Sequence, residues 1–266
     1  MNQIKKNLTL VNFTAMKNKK NKYIVIHYTA GNGDTAYNNT VYFKHVNRNA
    51  SANYFVDETP INWQCVEDWN KSWHCGGSKY KNTNPLFYNK CTNSNSIGIE
   101  MCSRLDKNLI YYFKPETVSN TVALVRYLMN KYNIPIENVI RHYDVTGKSC
   151  PRPYCVDSEW EAFKARLVAD ITDSDEIVNV LNQKGVISDV ELWKNKLKED
   201  TNCYWLARKA VNTFKKENNA KLETVNDIVW ELGHRGILTD KDLWLKKLEE
   251  DKNAYWLARK ICNLMM

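Results

Sequence analysis

Residues 141–151 read Arg-His-Tyr-Asp-Val-Thr-Gly-Lys-Ser-Cys-Pro, so an imidazole (His142), an ammonium (Lys148) and a thiol (Cys150) fall within nine residues. Gly147 between them permits a turn back. The N-terminal counterpart is Ile24-Val25-Ile26-His27-Tyr28-Thr29-Ala30, a β-type apolar run ending in a histidine. Two imidazoles and one thiolate make a three-ligand zinc set, and a catalytic zinc site keeps its fourth position for water. Taken singly, each piece has a plainer reading: His27 as a buried, hydrogen-bonded histidine, His142 with Cys150 as a nucleophile pair. Glu100 lies on the polar face of an alternating stretch, beside Gly98, and is a candidate general base for water activated by a metal. Lys148 can point at an oxyanion.

These residues need elements to hold them. Tyr23–Tyr28 reads as a strand, and residues 53–56 and 62–66 as a strand pair around the turn Asp57-Glu58-Thr59-Pro60. Ser96–Met101 alternates, with Ile97, Ile99 and Met101 on one face and Gly98 and Glu100 on the other. Val118, Val122, Val125, Leu128, Met129 and Tyr132 recur at helical spacing, with Pro115 near the start and Pro135 past the end. Val139–Arg141 is a short strand that delivers His142.

After about residue 170 the pattern is helical only, and an internal repeat appears at an offset of 51. Ile177, Val178, Leu181, Gly185, Leu192, Trp193, Leu197, Asp200 and residues 204–209 recur as Ile228, Val229, Leu232, Gly236, Leu243, Trp244, Leu248, Asp251 and residues 255–260. Gly185 and Gly236 suit left-handed helix ends. Ser188 with Glu191, and Thr239 with Asp242, have capping-box spacing. Each unit is expected to be three short helices, with residues 215–223 as a polar linker and the two units packed together. The expected fold class is α/β. A central mixed β-sheet flanked by helices covers residues 1–170, and a small all-α C-terminal domain of two tandem helical repeats (about 175–214 and 226–265) covers 171–266.

The net charge of +8 sits on the first part: residues 1–170 carry 22 Lys and Arg against 14 Asp and Glu, whereas residues 171–266 carry 16 of each. A basic surface favours polyanionic partners, nucleic acid or an anionic cell wall; no nucleic-acid motif accompanies it, so no nucleic-acid partner is expected. No run of about twenty apolar residues predicts a membrane span, and the basic N-terminus lacks the apolar core of a secretory signal. The eight cysteines form no Cys-x-x-Cys pair, and they read as free thiols or small buried hydrophobes rather than a disulfide framework.

Five segments, in order, resemble the zinc-dependent N-acetylmuramoyl-L-alanine amidases of the type-2 class, related to phage T7 lysozyme and the peptidoglycan recognition proteins. They are residues 26–30, residues 50–56 (Ala-Ser-Ala-Asn-Tyr-Phe-Val), Trp73-His74-Cys75-Gly76, residues 95–100 (Asn-Ser-Ile-Gly-Ile-Glu), and residues 141–151. The resemblance covers about residues 20–165 and implies hydrolysis of the amide between N-acetylmuramic acid and L-alanine of the peptidoglycan stem peptide. It implies Zn2+ on His27, His142 and Cys150, with Glu100 and Lys148 catalytic. It implies His74, Asn53, Tyr54, Trp73 and Thr29 in or beside the substrate groove. Some relatives use a catalytic tyrosine near position 52, where this chain has Ala52, which strengthens Glu100; many carry Asp where Cys150 stands, and a thiolate is an equally good zinc ligand.

The tail resembles helical repeats behind amidases of clostridia and their phages and implies a wall-binding module; its repeated Trp and Tyr residues read as core, with a fraction exposed on one face suited to stacking on wall carbohydrate. The whole then resembles a phage endolysin or an autolysin, made in the host cytoplasm and acting at the cell wall after release. Two alternatives stay open at this point: a peptidoglycan-recognition protein that binds without cutting, and a Cys–His hydrolase using Cys150. The oligomeric state is not legible from the sequence.

Overall fold

The apolar run that ends in His27 is a strand hydrogen-bonded on both edges, and that position explains its composition. The computed structural model describes residues 3–169, 174–183, 185–213, 224–234 and 236–264. In chain order the first elements are β1 (Gln3–Lys6), β2 (Tyr23–Tyr28), α1 (Ala36–Lys44), β3 (Tyr54–Val56), β4 (Ile61–Gln64) and β5 (Ser96–Met101). Then follow the small pair β6 (Arg104–Leu105) and β7 (Tyr111–Tyr112), α2 (Pro115–Tyr132), β8 (Val139–Arg141), α3 (His142–Thr146) and α4 (Asp157–Val168).

Six strands form one sheet in the order β1-β4-β3-β5-β2-β8. It is mixed: β3 and β4 are antiparallel, and the remaining pairs are parallel. Parallel strands need cover on both faces, so their sequences are apolar on both; Ile24, Val25 and Ile26 of β2 are accordingly all fully buried. Ile24 and Ile26 join Ile97, Ile99 and Met101 of β5 on one face, against Leu124, Val125 and Leu128 of α2 and Trp160, Phe163 and Leu167 of α4. Val25 faces the other way, with Ile140, Val145, Cys75 and Cys91. Helix α2 starts with Pro115 in its first turn and stops at Asn133, whose φ of +50° is left-handed, two residues ahead of Pro135.

Strand β1 and helices α1 and α4 add to the expected elements, and β4 stops at Gln64. Helix α1 has almost no apolar stripe: only Ala36 and Thr40 are buried along it. Its start is held instead by polar contacts, Thr35 Oγ1 accepting from Asn38 N and Asp57 Oδ2 accepting from Ala36 N at 2.7 Å.

The chain divides into two compact units, Met1–Ala169 and Asp170–Met266. The second consists of α5 (Ser174–Gln183), α6 (Val190–Glu199), α7 (Thr201–Thr213), α8 (Val225–His234), α9 (Lys241–Glu250) and α10 (Lys252–Leu264), three helices per repeat. One core joins the repeats, with Ile177, Leu181, Leu197 and Leu206 beside Ile228, Leu232, Leu248 and Leu257. Trp193 stacks on Trp256 at 5.4 Å, and Asn202 Nδ2 donates to Asp251 Oδ2 at 3.3 Å across the repeat boundary. Gly185 and Gly236 adopt φ of +70° and +72°, the left-handed turns their sequence positions require. The helix caps differ from expectation. Asp189 and Asp240, each one residue past the expected Ser188 and Thr239, accept from Leu192 N and Leu243 N at 2.9 and 3.0 Å. A carboxylate at that place both satisfies a free amide and meets the positive end of the helix dipole. The expected linker, 215–223, lies outside the described residues. No described helix is long and apolar enough to cross a membrane.

Candidate metal centre and active site

The site forms at the carboxyl ends of three parallel strands, where side chains of open α/β sheets meet ligands. Register does most of the assembly. His27 of β2 lies opposite Glu100 of β5, and Ile26 lies opposite Arg141 of β8, so His142 emerges one residue later beside His27. The His27 and His142 ring centroids are 4.7 Å apart. Cys150 returns from the following loop, with its Sγ 3.6 Å from His27 Nδ1. One ligand atom from each of His27, His142 and Cys150 lies within 4.8 Å of the other two, and all three residues are buried.

That loop is tightly held. Arg141 grips Asp144 Oδ1 at 2.8 Å and Asp157 Oδ1 at 2.9 Å, and also donates to the Tyr154 carbonyl. Tyr143 N donates to Cys150 O at 2.7 Å, which closes the loop on itself. Gly147 ends α3 with φ of +80°, and a Cβ there would collide with Thr83, so both conformation and space call for glycine.

Burial dominates the electrostatics of the site. Burial pushes the His27 imidazole well below its ordinary pKa, with help from His142, His74 and Lys148. Burial, then Lys148, brings His142 down to about 4. Burial, then Glu100, pushes the Cys150 thiol up. Glu100 is pushed up to about 8 by burial, against the pull of Lys148 and with a smaller push from Asp34. Two buried polar atoms, His142 Nδ1 and Glu100 Oε2, have no hydrogen-bond partner. Such orphans are costly unless something takes them up. Two neutral imidazoles, a thiol beside them and an unused ring nitrogen fit a zinc ion, which would stabilise the thiolate that burial disfavours. Lys148 is exposed, yet near enough to act on His27, His142, Glu100 and Cys150.

The other expected groove residues behave differently. Asn53 is fully buried: its Oδ1 accepts from Gly98 N at 3.0 Å and Ser72 Oγ at 2.7 Å, and its Nδ2 donates to the Val66 carbonyl. Tyr54 is 1% exposed and donates to Asp68 Oδ1 at 2.8 Å. Both side chains are buried and brace the sheet, so any part they have beside a groove is structural. His74 is half-buried and packed beneath the ligands. Its ring lies behind His27, with Nδ1 3.0 Å from His27 Nε2 and Nε2 3.0 Å from Ser96 Oγ, so both nitrogens are engaged within the protein. A Cβ at Gly98 would lie 2.5 Å from His74 Cγ, so the space beside this glycine is taken by the His74 ring. Trp73 is half-buried, donating from Nε1 to Thr14 Oγ1, and Thr29 is half-buried at the end of β2, accepting from Gly31 N and Ser103 N. Ser96 and Asn93, whose Oδ1 accepts from His74 N and Cys75 N, were not singled out by sequence; a serine and an asparagine ahead of a strand carry no distinguishing signal.

A second cluster, Asp200, Cys203 and Asp251, brings ligand-type atoms together where the two repeats meet. Its carboxylates are already engaged: Asp200 Oδ1 accepts from Cys203 N, Asp251 Oδ1 from Asn253 N and Ala254 N, and Asp251 Oδ2 from Asn202. The bonds from backbone amides are helix caps, and the Asn202 bond ties the two repeats together.

Comparison with known proteins places this geometry. The family model described as N-acetylmuramoyl-L-alanine amidase matches residues 17–153, just over half of the chain. The N-acetylmuramoyl-L-alanine amidase BlyA of Bacillus subtilis (strain 168) is 34% identical over 162 residues, covering 57% of this chain and 42% of that protein. The N-acetylmuramoyl-L-alanine amidase CwlL of Bacillus licheniformis is 36% identical over 142 residues, covering 52% of this chain and 38% of that one. The match thus spans about two fifths of the length of these relatives. Among solved structures, the catalytic domain of XlyA, a B. subtilis amidase, superposes with a TM-score of 0.50 at 27% identity, over 62% of this chain and 99% of that one. The PlyG catalytic domain gives a TM-score of 0.50 at 29% identity, over 62% and 93%.

Proposed function

Because the chain belongs to the N-acetylmuramoyl-L-alanine amidase family, we propose that it is a peptidoglycan hydrolase. It cleaves the amide between the lactyl group of N-acetylmuramic acid and L-alanine of the stem peptide, with a zinc ion held by His27, His142 and Cys150. The observation that carries this reading is the buried three-ligand cluster with an unpartnered His142 Nδ1, beside a buried carboxylate oxygen that is also unpartnered. Bound there, zinc supplies Lewis acidity, polarising the scissile carbonyl and making nearby water a better nucleophile.

The residues of the chain do the rest. Glu100 is His27's partner in the strand register, so its carboxylate is anchored to the same sheet as the ligands. Its Oε2 takes the proton of the attacking water and later returns it to the leaving amine. Lys148 Nζ, on the exposed side of the loop, offers positive charge to the oxygen that gains negative charge in the tetrahedral transition state. Arg141, paired with Asp144 and Asp157, braces the start of the loop from His142 to Cys150, which the bond from Tyr143 N to Cys150 O closes.

The second unit supplies attachment to the wall. Most residues kept identical in both repeats have a folding role: core for Ile177 and Ile228, turn for Gly185 and Gly236, cap for Asp189 and Asp240. Leu192 with Leu243, and Trp205 with Trp256, are kept identical although 41–47% exposed. Large apolar side chains held at a surface in duplicate suit contact with the apolar faces of sugar rings. The site of action is therefore the bacterial cell wall.

The test is digestion of purified peptidoglycan by the full chain, with mass analysis of the products, with and without chelator and zinc add-back. New L-alanine amino termini with intact glycan strands, lost with chelator and restored by zinc, are expected. Reducing sugar ends would make it a glycosidase, and binding without product would make it a recognition protein.

A further inference from the structure

A line of hydrogen bonds runs from a backbone carbonyl to the metal-facing edge of His27, and each proton in it can be placed. Ser96 Oγ lies 2.6 Å from the Thr92 carbonyl oxygen. A carbonyl only accepts, so the single hydroxyl proton of Ser96 points there. The same Oγ lies 3.0 Å from His74 Nε2. With the serine proton already committed, the hydrogen in that contact belongs to the imidazole, and His74 donates from Nε2. A neutral imidazole with its proton on Nε2 is an acceptor at Nδ1. His74 Nδ1 is 3.0 Å from His27 Nε2, so His27 donates from Nε2. Its other nitrogen, Nδ1, is then bare, and it is the nitrogen that faces Cys150 Sγ at 3.6 Å. The remaining contact of Ser96 is with Cys75 Sγ, 3.6 Å away, in which either atom can donate.

We infer that His74 and Ser96 are positioning residues that select the tautomer of His27, holding its Nδ1 lone pair ready for a metal. The surroundings are shaped to keep His74 in this role. Asn93 Oδ1 accepts from the backbone amides of His74 and Cys75 at 3.0 and 2.8 Å, which fixes the segment. Gly98 leaves the space its ring occupies. An imidazole that binds a metal must present an unprotonated nitrogen, and the hydrogen bond at its other nitrogen decides which one that is. An unconstrained imidazole populates both tautomers, and the wrong one sets a proton where the metal belongs. Here the choice is made three groups away, at the Thr92 carbonyl. The consequence for metal binding rests on the zinc reading above; the tautomer itself does not.

The test begins with the full-length wild-type chain, freed of metal and labelled with nitrogen-15 at its five histidines. Long-range proton–nitrogen spectra distinguish protonated from bare ring nitrogens. His27 and His74 are both expected to carry the proton on Nε2, and His27 with its proton on Nδ1 overturns the inference. This measurement needs no variant. Ser96→Ala then removes the anchor: the His74 and His27 signals should become tautomer mixtures, and zinc affinity, measured by competition with a chelating dye, should fall about 10- to 100-fold. Ser96→Thr, which keeps the hydroxyl, should restore both. A residue that only filled space would lower the melting temperature of Ser96→Ala and leave the tautomers and zinc affinity unchanged, which also overturns the inference. If wild type binds no zinc, the zinc reading falls, while the metal-free spectra still decide the relay.

Discussion

In the first unit, His142 Nδ1 and Glu100 Oε2 are polar atoms buried without a partner, whereas in the second unit Leu192, Leu243, Trp205 and Trp256 are large apolar side chains 41–47% exposed. Each departs from the ordinary rule for its group, in opposite directions. Chemistry on an amide needs charge and lone pairs withheld from water, where electrostatic effects are strongest. Adhesion needs apolar surface offered to water so that a ligand can cover it. On the proposed reading the two departures serve two different tasks, and each can be disturbed by substitution within its own unit.

The largest effect should come from the buried polar group with the most direct part in proton transfer. Glu100→Gln keeps the shape of the side chain and removes its capacity to take a proton. We expect a loss of turnover of about 100- to 10,000-fold, with zinc content by elemental analysis unchanged; near-normal turnover would remove Glu100 from the proton-transfer role. Cys150→Ala is the complementary change, since it removes a ligand and leaves Glu100 in place. Zinc should then be lost on dialysis along with activity, and full retention of metal would take Cys150 out of the ligand set. If the second unit carries wall attachment as proposed, neither substitution should alter binding to intact wall.

The next effect tests how the ligands are supported. Gly98→Ala places a methyl group against the His74 ring. The ring has little room to retreat, because both of its nitrogens are bonded. Overpacking of this kind costs about 1–3 kcal/mol, visible as a lower unfolding midpoint, and the disturbed His27 should bind zinc about tenfold or more weakly. A variant with wild-type stability and zinc affinity would show that His74 is not confined as the distances imply.

Gly98 also shows where sequence reading reached its limit. Strand β2 was legible as an apolar run, β5 from its alternation, and α2 because its apolar spacing runs between two prolines. The two helical repeats were legible because a duplicated pattern supports itself. Helix α1 was not, because polar caps rather than an apolar stripe hold it, and α4 was passed over although Trp160, Phe163 and Leu167 carry helical spacing. At the site, strand alternation put Glu100 and Gly98 on one face, yet it could not say what would cover Gly98. The segment carrying His74 comes from elsewhere in the chain, and its approach is a tertiary event. The same holds for Asn53 and Tyr54: residue type permitted a groove, while the Gly98 amide and the Asp68 carboxylate claimed them. The caps Asp189 and Asp240 were missed by one residue, because serine or threonine followed by aspartate offers two adjacent side chains able to cap.

A smaller effect is expected in the second unit. Trp205→Ala and Trp256→Ala each remove one copy of a duplicated surface ring. If the rings stack on wall sugars, each change should weaken pull-down by purified wall about tenfold, the loss typical of an aromatic at a binding hot spot, with amidase turnover on soluble fragments unchanged. The two changes should not be equal. Trp256 also stacks on Trp193, so its removal should lower stability as well, while Trp205 meets the edge of its neighbour Tyr204. Unchanged wall binding in both variants would assign these rings to the fold.

The smallest effect isolates the fold of the second unit from its task. Asp189→Ala removes the side chain that accepts from Leu192 N at the start of α6. Losing an N-cap costs about 1 kcal/mol, and Asp240→Ala should cost a similar amount because its geometry in α9 is nearly the same. The two repeats share one core, so either change should lower a single cooperative unfolding transition rather than split it into two. Both side chains are exposed and lie three residues ahead of Leu192 and Leu243, and neither is one of the exposed apolar groups, so wall binding at low temperature, where the unit remains folded, should be unaffected. A cap variant that loses wall binding while its unfolding transition stays in place would mean that the aspartates themselves touch the ligand, and that the second unit recognises polar groups of the wall as well as apolar ones.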